Sequence, residues 1–353
     1  MKPTRFLALA ALLGAAVPAA AQVQLNGAGA TFPNIIYSDW MLTYNQAHSD
    51  VKLNYQSIGS GGGIRQFSDG TVDFGASDAP MTDSAIAAIK GDVLHIPTVL
   101  GAVVAAYTLP EVSQALRFTP DVLADVFLGK ITNWSDARLA SINPGVKLPT
   151  QDIIVVHRSD GSGTTFVWTD YLSKVSPEWL QKVGRGTSVN WPVGLGGRGN
   201  EGVASTVRQT PGAIGYVELG YALINKMAFG TVRNSSGNWI TPSLESVTAA
   251  AAGAMKDMGP NTDFRVSITN SAGPRAYPAA SFTWLLVHKT YSDAPKARAL
   301  VQFIWWVETE GQAKTIELGY APLPKDLRPW IQARLTSVTA EGRPVWTGSA
   351  GAQ

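Results

Sequence analysis

Short apolar and β-branched runs alternate with helical patterns along this chain of 353 residues, and the alternation limits the folds that it can adopt. Strand-like runs occupy residues 51–55, 72–76, 99–108, 153–156, 214–217 and 282–288. Helical spacing of apolar residues occupies 33–46, 120–128, 164–174, 202–209, 244–255 and 296–306. Strands that alternate with helices form parallel sheets covered by helices, so the pattern predicts an α/β architecture with mostly parallel strands.

The N-terminus has the plan of a secretory signal peptide. Lys2 and Arg5 precede an apolar run at 6–17, and small residues follow at 19–21. A transmembrane anchor, the alternative, needs about 20 apolar residues, and this run is shorter and ends in an A-x-A cleavage pattern. We therefore expect cleavage after Ala21, export to the periplasm and no direct membrane insertion.

The charge and cysteine content exclude several classes of function. The chain has 28 Lys and Arg residues and 26 Asp and Glu residues, and the predicted signal carries both excess cations. The remainder has no net positive charge with which to attract nucleic acid or an anionic membrane, so we expect no nucleic-acid partner. The absence of cysteine excludes disulfides, thiolate nucleophiles and cysteine-ligated metals.

Three turns rich in glycine and hydroxyl residues each precede a helical pattern. They are GAGATFP at 27–33, GSGGG at 59–63 and RSDGSGT at 158–164. Each turn can simply cap its helix, because Ser and Thr are common at that position. The N-terminus of a helix also presents free N–H groups and the positive end of its dipole, which bind anions. Three such turns, one of them with Arg158, favour an anion site over capping alone.

Asp78 adds a carboxylate beside these predicted anion-binding turns. It follows the strand pattern at 72–76, and open α/β sheets bind ligands at the carboxyl ends of their strands. A carboxylate repels an anion unless a proton lies between them. The anion that this pattern fits best is a protonated oxyanion such as phosphate.

Six ordered motifs extend the pattern over most of the chain: LNGAGATFP (25–33), IGSGGG (58–63), VDFGASDAPM (72–81), HRSDGSGTTFVW (157–168), VGLGGRGNEGV (193–203) and PGAIGYVE (211–218). Together they resemble the periplasmic phosphate-binding proteins of high-affinity phosphate ABC transporters. The resemblance implies a two-lobed periplasmic-binding-protein fold of the Venus flytrap type. Each lobe would be a mostly parallel sheet flanked by helices, with the ligand in the cleft between them.

The resemblance also implies which residues contact the ligand. The family's phosphate-binding residues match Thr31, Phe32, Ser60, Asp78, Arg158, Asp160, Ser162, Gly163 and Thr164. In the family, hydroxyl and backbone N–H groups donate to phosphate oxygens, and the equivalent of Arg158 pairs with the anion. The equivalent of Asp160 couples to that arginine, and the equivalent of Asp78 accepts the phosphate proton. A site built to pair that proton can reject sulfate, which lacks it, by about 10⁴ to 10⁵; arsenate keeps a proton and would pass.

His157 departs from the family pattern, because well-known members have a second arginine there. Strand alternation places His157 on the face opposite Arg158, so we expect it outside the ligand contacts. The effect of this histidine on the charge around the site and on its pH dependence stays open.

The predicted chain division is a signal at 1–21, a discontinuous lobe I at 22–99 and 277–353, and a lobe II at 100–276. The matched residues fall in both lobes, so inorganic phosphate would favour the closed form through its contacts with each. The resemblance implies that the closed form is read by the membrane permease of a phosphate ABC transporter. We expect a monomer without a cofactor.

A phosphatase or other phosphoryl-transfer enzyme is one alternative. It would need a nucleophile with a base, or clustered metal ligands. The four histidines lack metal-ligand spacing, and neither Ser60 nor Ser162 lies in a G-x-S-x-G motif. We therefore expect a binding protein rather than an enzyme, with no metal.

Two binding alternatives also stay open. GLGGRG at 194–199 matches the G-x-G-x-x-G of dinucleotide-binding proteins, but Trp191 and Pro192 precede it where a strand is required. A tight turn and helix start near the cleft is the preferred interpretation. A binding protein for another tetrahedral oxyanion, such as sulfate, is the second alternative, and Asp78 argues against it.

Overall fold

The computed structural model describes residues 22–348 apart from 90 and 261. The predicted signal peptide lies outside these residues. The strands are β1 Val23–Gly29, β2 Val51–Ser57, β3 Phe74–Ser77, β4 Val93–Tyr107, β5 Arg117–Phe118, β6 Ile154–Arg158, β7 Leu195–Gly197, β8 Ala213–Glu218, β9 Ala228–Phe229, β10 Thr231–Arg233, β11 Trp239–Ile240, β12 Ala280–His288, β13 Thr290–Tyr291, β14 Thr339–Ala340 and β15 Arg343–Pro344.

The α-helices are α1 Asn34–Ala47, α2 Ser60–Ser68, α3 Asp83–Ala87, α4 Pro120–Phe127, α5 Ala137–Ile142, α6 Gly163–Val175, α7 Pro177–Lys182, α8 Gly199–Gln209, α9 Leu219–Ile224, α10 Leu244–Ala254, α11 Ala294–Thr309 and α12 Arg328–Thr336. Short 3₁₀ turns occur at Met255–Asp257, Gly311–Lys314, Ile316–Leu318 and Lys325–Leu327. Among the residues that the structure describes, no helix is both long and apolar enough to cross a bilayer.

One large sheet connects the two halves of the molecule. Its strand order is β2-β1-β3-β12-β4-β8-β6-β7, and β9 also pairs with β4. The outer pairs β1·β2, β1·β3, β6·β7 and β6·β8 are parallel. The central pairs β3·β12, β12·β4, β4·β8 and β4·β9 are antiparallel. The predicted α/β class is confirmed, but the parallel strands are confined to the outer parts of a mixed sheet.

The long strand β4 is common to both halves. Its first part pairs with β12, and its residues from 103 onward pair with β8. The pairing of β4 with β12 shifts register at Thr98, which is left without a partner between Val99 and Pro97. This bulge lies where the first crossing between lobes is predicted, and such bulges bend a strand and change its twist.

The predicted elements recur with modest changes in their bounds. The strand predicted at 99–108 begins earlier, at Val93, and β1 was not predicted because its sequence, VQLNGAG, is half glycine and polar residues. The helices predicted at 120–128 and 164–174 correspond to α4 and α6. Buried side chains form one large cluster and a small one around Phe67 and Leu286.

Candidate anion-binding site

Three helix N-termini meet at one place because each follows a strand of the large sheet. The helices α1, α2 and α6 begin just after β1, β2 and β6. The turn before α2 touches the turn before α6, where the Gly61 N–H donates to the Gly161 carbonyl at 2.9 Å. A side chain on Gly163 would overlap both Ser60 Oγ and Asp78 Oδ2. The Gly59 N–H also donates to the carbonyl oxygen of Gly29, in the first turn, at 2.8 Å, so the three predicted turns lie in contact.

Arg158 supplies a buried positive charge beside these turns. Its side chain is buried, with the residue 3% exposed, and its Nε donates to Asp160 Oδ1 at 2.7 Å. Nη2 donates to Asp160 Oδ2, and Nη1 lies 3.4 Å from Thr164 Oγ1. These bonds use three of the five guanidinium N–H groups, so two can still bind an anion.

Asp160 orients Arg158 and joins a further element to the site. Burial opposes its ionisation, but the hydrogen bonds and charge of Arg158 outweigh burial and lower the pKa of Asp160. Its Oδ1 also accepts a hydrogen bond from the Gly199 N–H at 3.0 Å. Asp160 is thus held between the Arg158 guanidinium and the Gly199 N–H, and it fixes the orientation of Arg158.

Asp78 supplies a buried carboxyl group beside the start of α6 at Gly163. The residue is 1% exposed, and Thr283 Oγ1 donates to its Oδ1 at 2.8 Å. Ser60 Oγ lies 3.5 Å from Oδ2 and accepts from the Asp78 N–H at 3.2 Å. Burial raises the pKa of Asp78 to about 7, although Thr283, Arg158 and Ser60 all act to lower it. Asp78 therefore changes its protonation state near neutral pH.

Asn200 connects the first turn to the third. Its Nδ2 donates to Thr31 Oγ1 at 2.7 Å and to Thr164 Oγ1 at 3.0 Å. Its Oδ1 accepts from the Glu218 N–H at 2.9 Å. Both hydroxyls accept from Asn200, so each keeps its own hydrogen for another acceptor, such as an anion.

Phe32 and Ser162 are held at the site by hydrogen bonds to neighbouring residues. The Phe32 side chain is fully buried, and its carbonyl accepts a hydrogen bond from the Tyr320 hydroxyl at 2.7 Å. Phe32 can therefore offer only its backbone N–H. Ser162 Oγ accepts from the Thr165 N–H at 3.0 Å and caps α6.

His157 points away from the guanidinium of Arg158. Its ring stacks on Trp191 with the ring centres 4.8 Å apart, and its Nδ1 lies 3.0 Å from the Arg158 carbonyl oxygen. Because a carbonyl only accepts, Nδ1 carries the hydrogen of this bond. This geometry agrees with the prediction that His157 lies on the strand face opposite Arg158.

The G-x-G-x-x-G segment forms a strand and a helix start rather than a loop after a strand. Its central residues are in β7, and Gly199, with φ near +70°, begins α8. The Gly199 N–H binds Asp160, which would compete with a pyrophosphate. This arrangement supports the tight-turn interpretation over a dinucleotide site.

Known proteins resemble this chain over most of its length. A profile described as PBP superfamily domain matches residues 15–308. The phosphate-binding protein PstS of Xylella fastidiosa (strain Temecula1) is 48% identical over 312 residues, which cover 88% of this chain and 84% of that protein. The chain belongs to the PstS family of phosphate-binding proteins.

Other PstS relatives agree with this assignment. The phosphate-binding protein PstS of Pasteurella multocida (strain Pm70) is 44% identical over 325 residues, covering 91% of this chain and 93% of that protein. A solved phosphate-binding protein from Stenotrophomonas maltophilia has a TM-score of 0.68 at 19% identity, covering 88% of this chain and 93% of that one. The structural likeness confirms the two-lobed α/β fold expected for a PstS protein.

Two residues of the candidate site, Asn200 and Thr283, were not predicted from the sequence. Asn200 lies within the motif at 193–203, so its neighbourhood was detected but its role was not. Thr283 lies in the strand β12, where nothing in the local pattern distinguishes it from a core residue. No group of three or more His, Asp or Glu side chains within residues 22–348, apart from 90 and 261, could hold a metal ion.

Proposed function

We propose that this chain binds inorganic phosphate in the periplasm and delivers it to a membrane ABC importer. The observation that supports phosphate is the combination, at one site, of the buried Arg158, which is paired with Asp160, and the buried carboxyl of Asp78, on which the charge of Arg158 acts. An anion between them must satisfy two guanidinium N–H groups and also place a hydrogen toward a carboxylate. Phosphate at neutral pH keeps a proton and can do both, whereas sulfate cannot.

The proposed phosphate contacts are the nine residues matched in the sequence. Thr31, Ser60, Ser162 and Thr164 would donate from their hydroxyls, and Phe32 and Gly163 from backbone N–H groups at helix starts. Arg158 would pair with the anion under the control of Asp160, and Asp78 would accept its proton. A neutral donor set with one partly neutralised arginine holds the anion without recruiting a mobile cation.

The experiment that tests this proposal is calorimetric titration of phosphate-stripped protein with phosphate and with sulfate. We expect phosphate binding and a sulfate affinity lower by about 10⁴ or more. Asp78→Asn should reduce this discrimination, because an amide can donate to sulfate. Arg158→Ala should lose most of the phosphate affinity while its circular dichroism stays that of the wild type. Absence of phosphate binding, or equal affinity for the two anions in the wild type, would contradict the proposal.

We further propose that the two lobes, at 22–99 with 277–353 and at 100–276, close on phosphate and that the permease recognises the closed form. The ligand contacts lie in both ranges, so phosphate stabilises closure through the contacts that only the closed form completes. Binding of a monomer with one site is expected. The export signal at 1–21 would be removed after Ala21, which N-terminal sequencing of the exported protein can check.

We propose no catalytic step. Ser60 Oγ lies 3.5 Å from Asp78 Oδ2, so the geometry warrants a direct test for phosphatase activity. Metal-free purified protein should release no alcohol from a phosphate ester. Turnover that disappears in Ser60→Ala would contradict this part of the proposal.

A further inference from the structure

Thr283 is a fully buried hydroxyl residue on β12 that faces the candidate site from the strand side. Its hydroxyl has one hydrogen to donate; Asp78 Oδ1 lies 2.8 Å away, the Ser77 carbonyl oxygen lies 3.5 Å away, and the Tyr37 hydroxyl also interacts with it. The shorter distance and the charge on a carboxylate both favour Asp78. Thr283 therefore donates to Asp78, the carboxyl group on which the charge of Arg158 acts.

The two oxygens of Asp78 have different surroundings. Oδ1 accepts from Thr283 on the strand side, while Oδ2 faces Ser60 and the start of α6 at Gly163. The hydrogen bond from Thr283 thus fixes the rotation of the carboxyl group and directs Oδ2 toward the ligand space. It also favours the ionised form of Asp78, since a hydroxyl donates a stronger hydrogen bond to a charged carboxylate than to a neutral carboxylic acid.

The other groups around Asp78 do not substitute for this hydrogen bond. Arg158 acts on Asp78 through its charge, and Ser60 lies at 3.5 Å. Burial raises the pKa values of the other titratable groups whose charges couple with Asp78, which favours their neutral forms; they are Tyr37 of α1, Tyr55 of β2, Glu218 of β8 and Tyr320. Thr283 therefore contributes the shortest hydrogen bond that Asp78 accepts.

We propose that Thr283 is a positioning residue for anion selection: it keeps Asp78 in the state that accepts a hydrogen and so excludes anions that carry none. This inference rests on the proposed phosphate function. Without the Thr283 hydroxyl, Asp78 takes up a proton at a higher pH. A protonated Asp78 donates a hydrogen instead of accepting one, and it can then bind sulfate.

Sulfate is the appropriate probe because it carries no proton between about pH 5 and pH 9, so the pH dependence of its binding reports the protein alone. We expect the sulfate affinity of the wild type to rise as the pH falls and Asp78 becomes protonated. In Thr283→Val the midpoint of this rise should move up by about one to two pH units, the equivalent of a hydrogen bond to a charged group. At pH 7 the sulfate-to-phosphate affinity ratio should increase about tenfold or more.

Three further variants separate this role from a loss of packing. Thr283→Ser keeps the hydroxyl and should restore the wild-type midpoint. Asp78→Asn should remove the rise. Thr315→Val removes another fully buried threonine hydroxyl, one that donates to the Gln312 carbonyl oxygen at 2.8 Å and not to Asp78, and should leave the midpoint unchanged. Circular dichroism and thermal unfolding check that each variant is folded, and Thr283→Ala replaces Thr283→Val if the latter is not.

The possible results distinguish this inference from the proposed function. A wild type that binds no phosphate overturns the proposed function. A wild type that selects phosphate, together with a Thr283→Val variant whose sulfate midpoint is unchanged, overturns only the role of Thr283. A wild-type sulfate affinity that does not change with pH also overturns the role of Thr283.

Discussion

Asp78 and Arg158 are both buried at the site, but their charges are held in different ways. Arg158 is paired with Asp160 through two hydrogen bonds, so its charge is compensated whether or not a ligand is present. Asp78 accepts one short hydrogen bond and has no bonded cation. Its ionised form is therefore costly in the absence of an anion that brings a proton.

This cost predicts a pH-dependent effect of Asp78→Asn on stability. Burial raises the pKa of Asp78 to about 7 from an ordinary value of 3.8. The stability that Asp78 contributes is thus fully present below about pH 4 and is lost as the pH rises through about 7. Asparagine cannot ionise, so the variant should gain free energy of unfolding relative to the wild type between about pH 5 and pH 8, by roughly one to a few kcal/mol. Urea denaturation of phosphate-free protein at both pH values measures the difference.

Asp92→Asn is the control for this measurement, because Asp92 is an exposed carboxylate paired with Lys289. Its effect on the free energy of unfolding should be small and should not change over the same range. A constant difference between Asp78→Asn and the wild type would show that Asp78 is ionised throughout and would contradict the prediction.

Among the elements, the glycine turns determine how closely the helix starts can approach one another. Gly59 precedes α2 with φ near +86°, and a Cβ there would lie 2.6 Å from the Gly161 carbonyl oxygen and overlap Asp160 Oδ2. Gly70 also has a positive φ, near +67°, but no atom lies within 4 Å of the position of its Cβ. Substitution of either glycine would strain the backbone, but only Gly59 faces the site.

This contrast predicts different effects of alanine at the two positions. Gly70→Ala should lower the free energy of unfolding by about 1 to 2 kcal/mol through the positive φ. Gly59→Ala should lower it by more, because its Cβ also meets Asp160 and the Gly161 carbonyl oxygen. Only Gly59→Ala should weaken phosphate binding, by about tenfold or more, because its Cβ separates the turns that must meet. Calorimetry on the pair measures this, and equal phosphate affinities would refute the proposed contact of the two turns in the bound form.

The segment between α10 and β12 is a second element that connects the halves. Arg265 Nη1 donates to the Met81 carbonyl oxygen at 2.9 Å, three residues after Asp78. Farther along the same segment, the Ser267 hydroxyl donates at 2.6 Å to Asp170 of α6, the helix whose start lies at the site. This segment therefore ties the loop after Asp78 to the far side of α6.

At the scale of the whole molecule, the site lies where a single sheet passes from one half to the other. The proposed ligand contacts come from turns on both sides of β4 and β12, so neither proposed lobe would hold a complete site. A ligand that completes the site should stabilise the whole fold, because it binds the folded chain and not the unfolded one.

We therefore expect phosphate at about 100 times its Kd to raise the free energy of unfolding by about 2.7 kcal/mol. Thermal unfolding with and without phosphate measures this increase. Sulfate at the same concentration should have almost no effect near neutral pH, and Arg158→Ala should lose the response to phosphate. An equal response to both anions would indicate a general salt effect in place of a specific site.

The local patterns of the sequence determined the three turns, Arg158 and Asp78, because helix starts, glycine turns and strand ends depend on residues a few positions apart. The tertiary structure decided which of them touch. Thr283 and Asp78 are 205 residues apart, and Asn200 and Thr31 are 169 apart, yet each pair forms a hydrogen bond. The antiparallel pairing of β12 with β3, in which Trp284 lies opposite Ser77, sets Thr283 beside Asp78 and also joins distant segments. Such contacts depend on how strands order themselves in a sheet, and that order is set by burial and register over the whole chain.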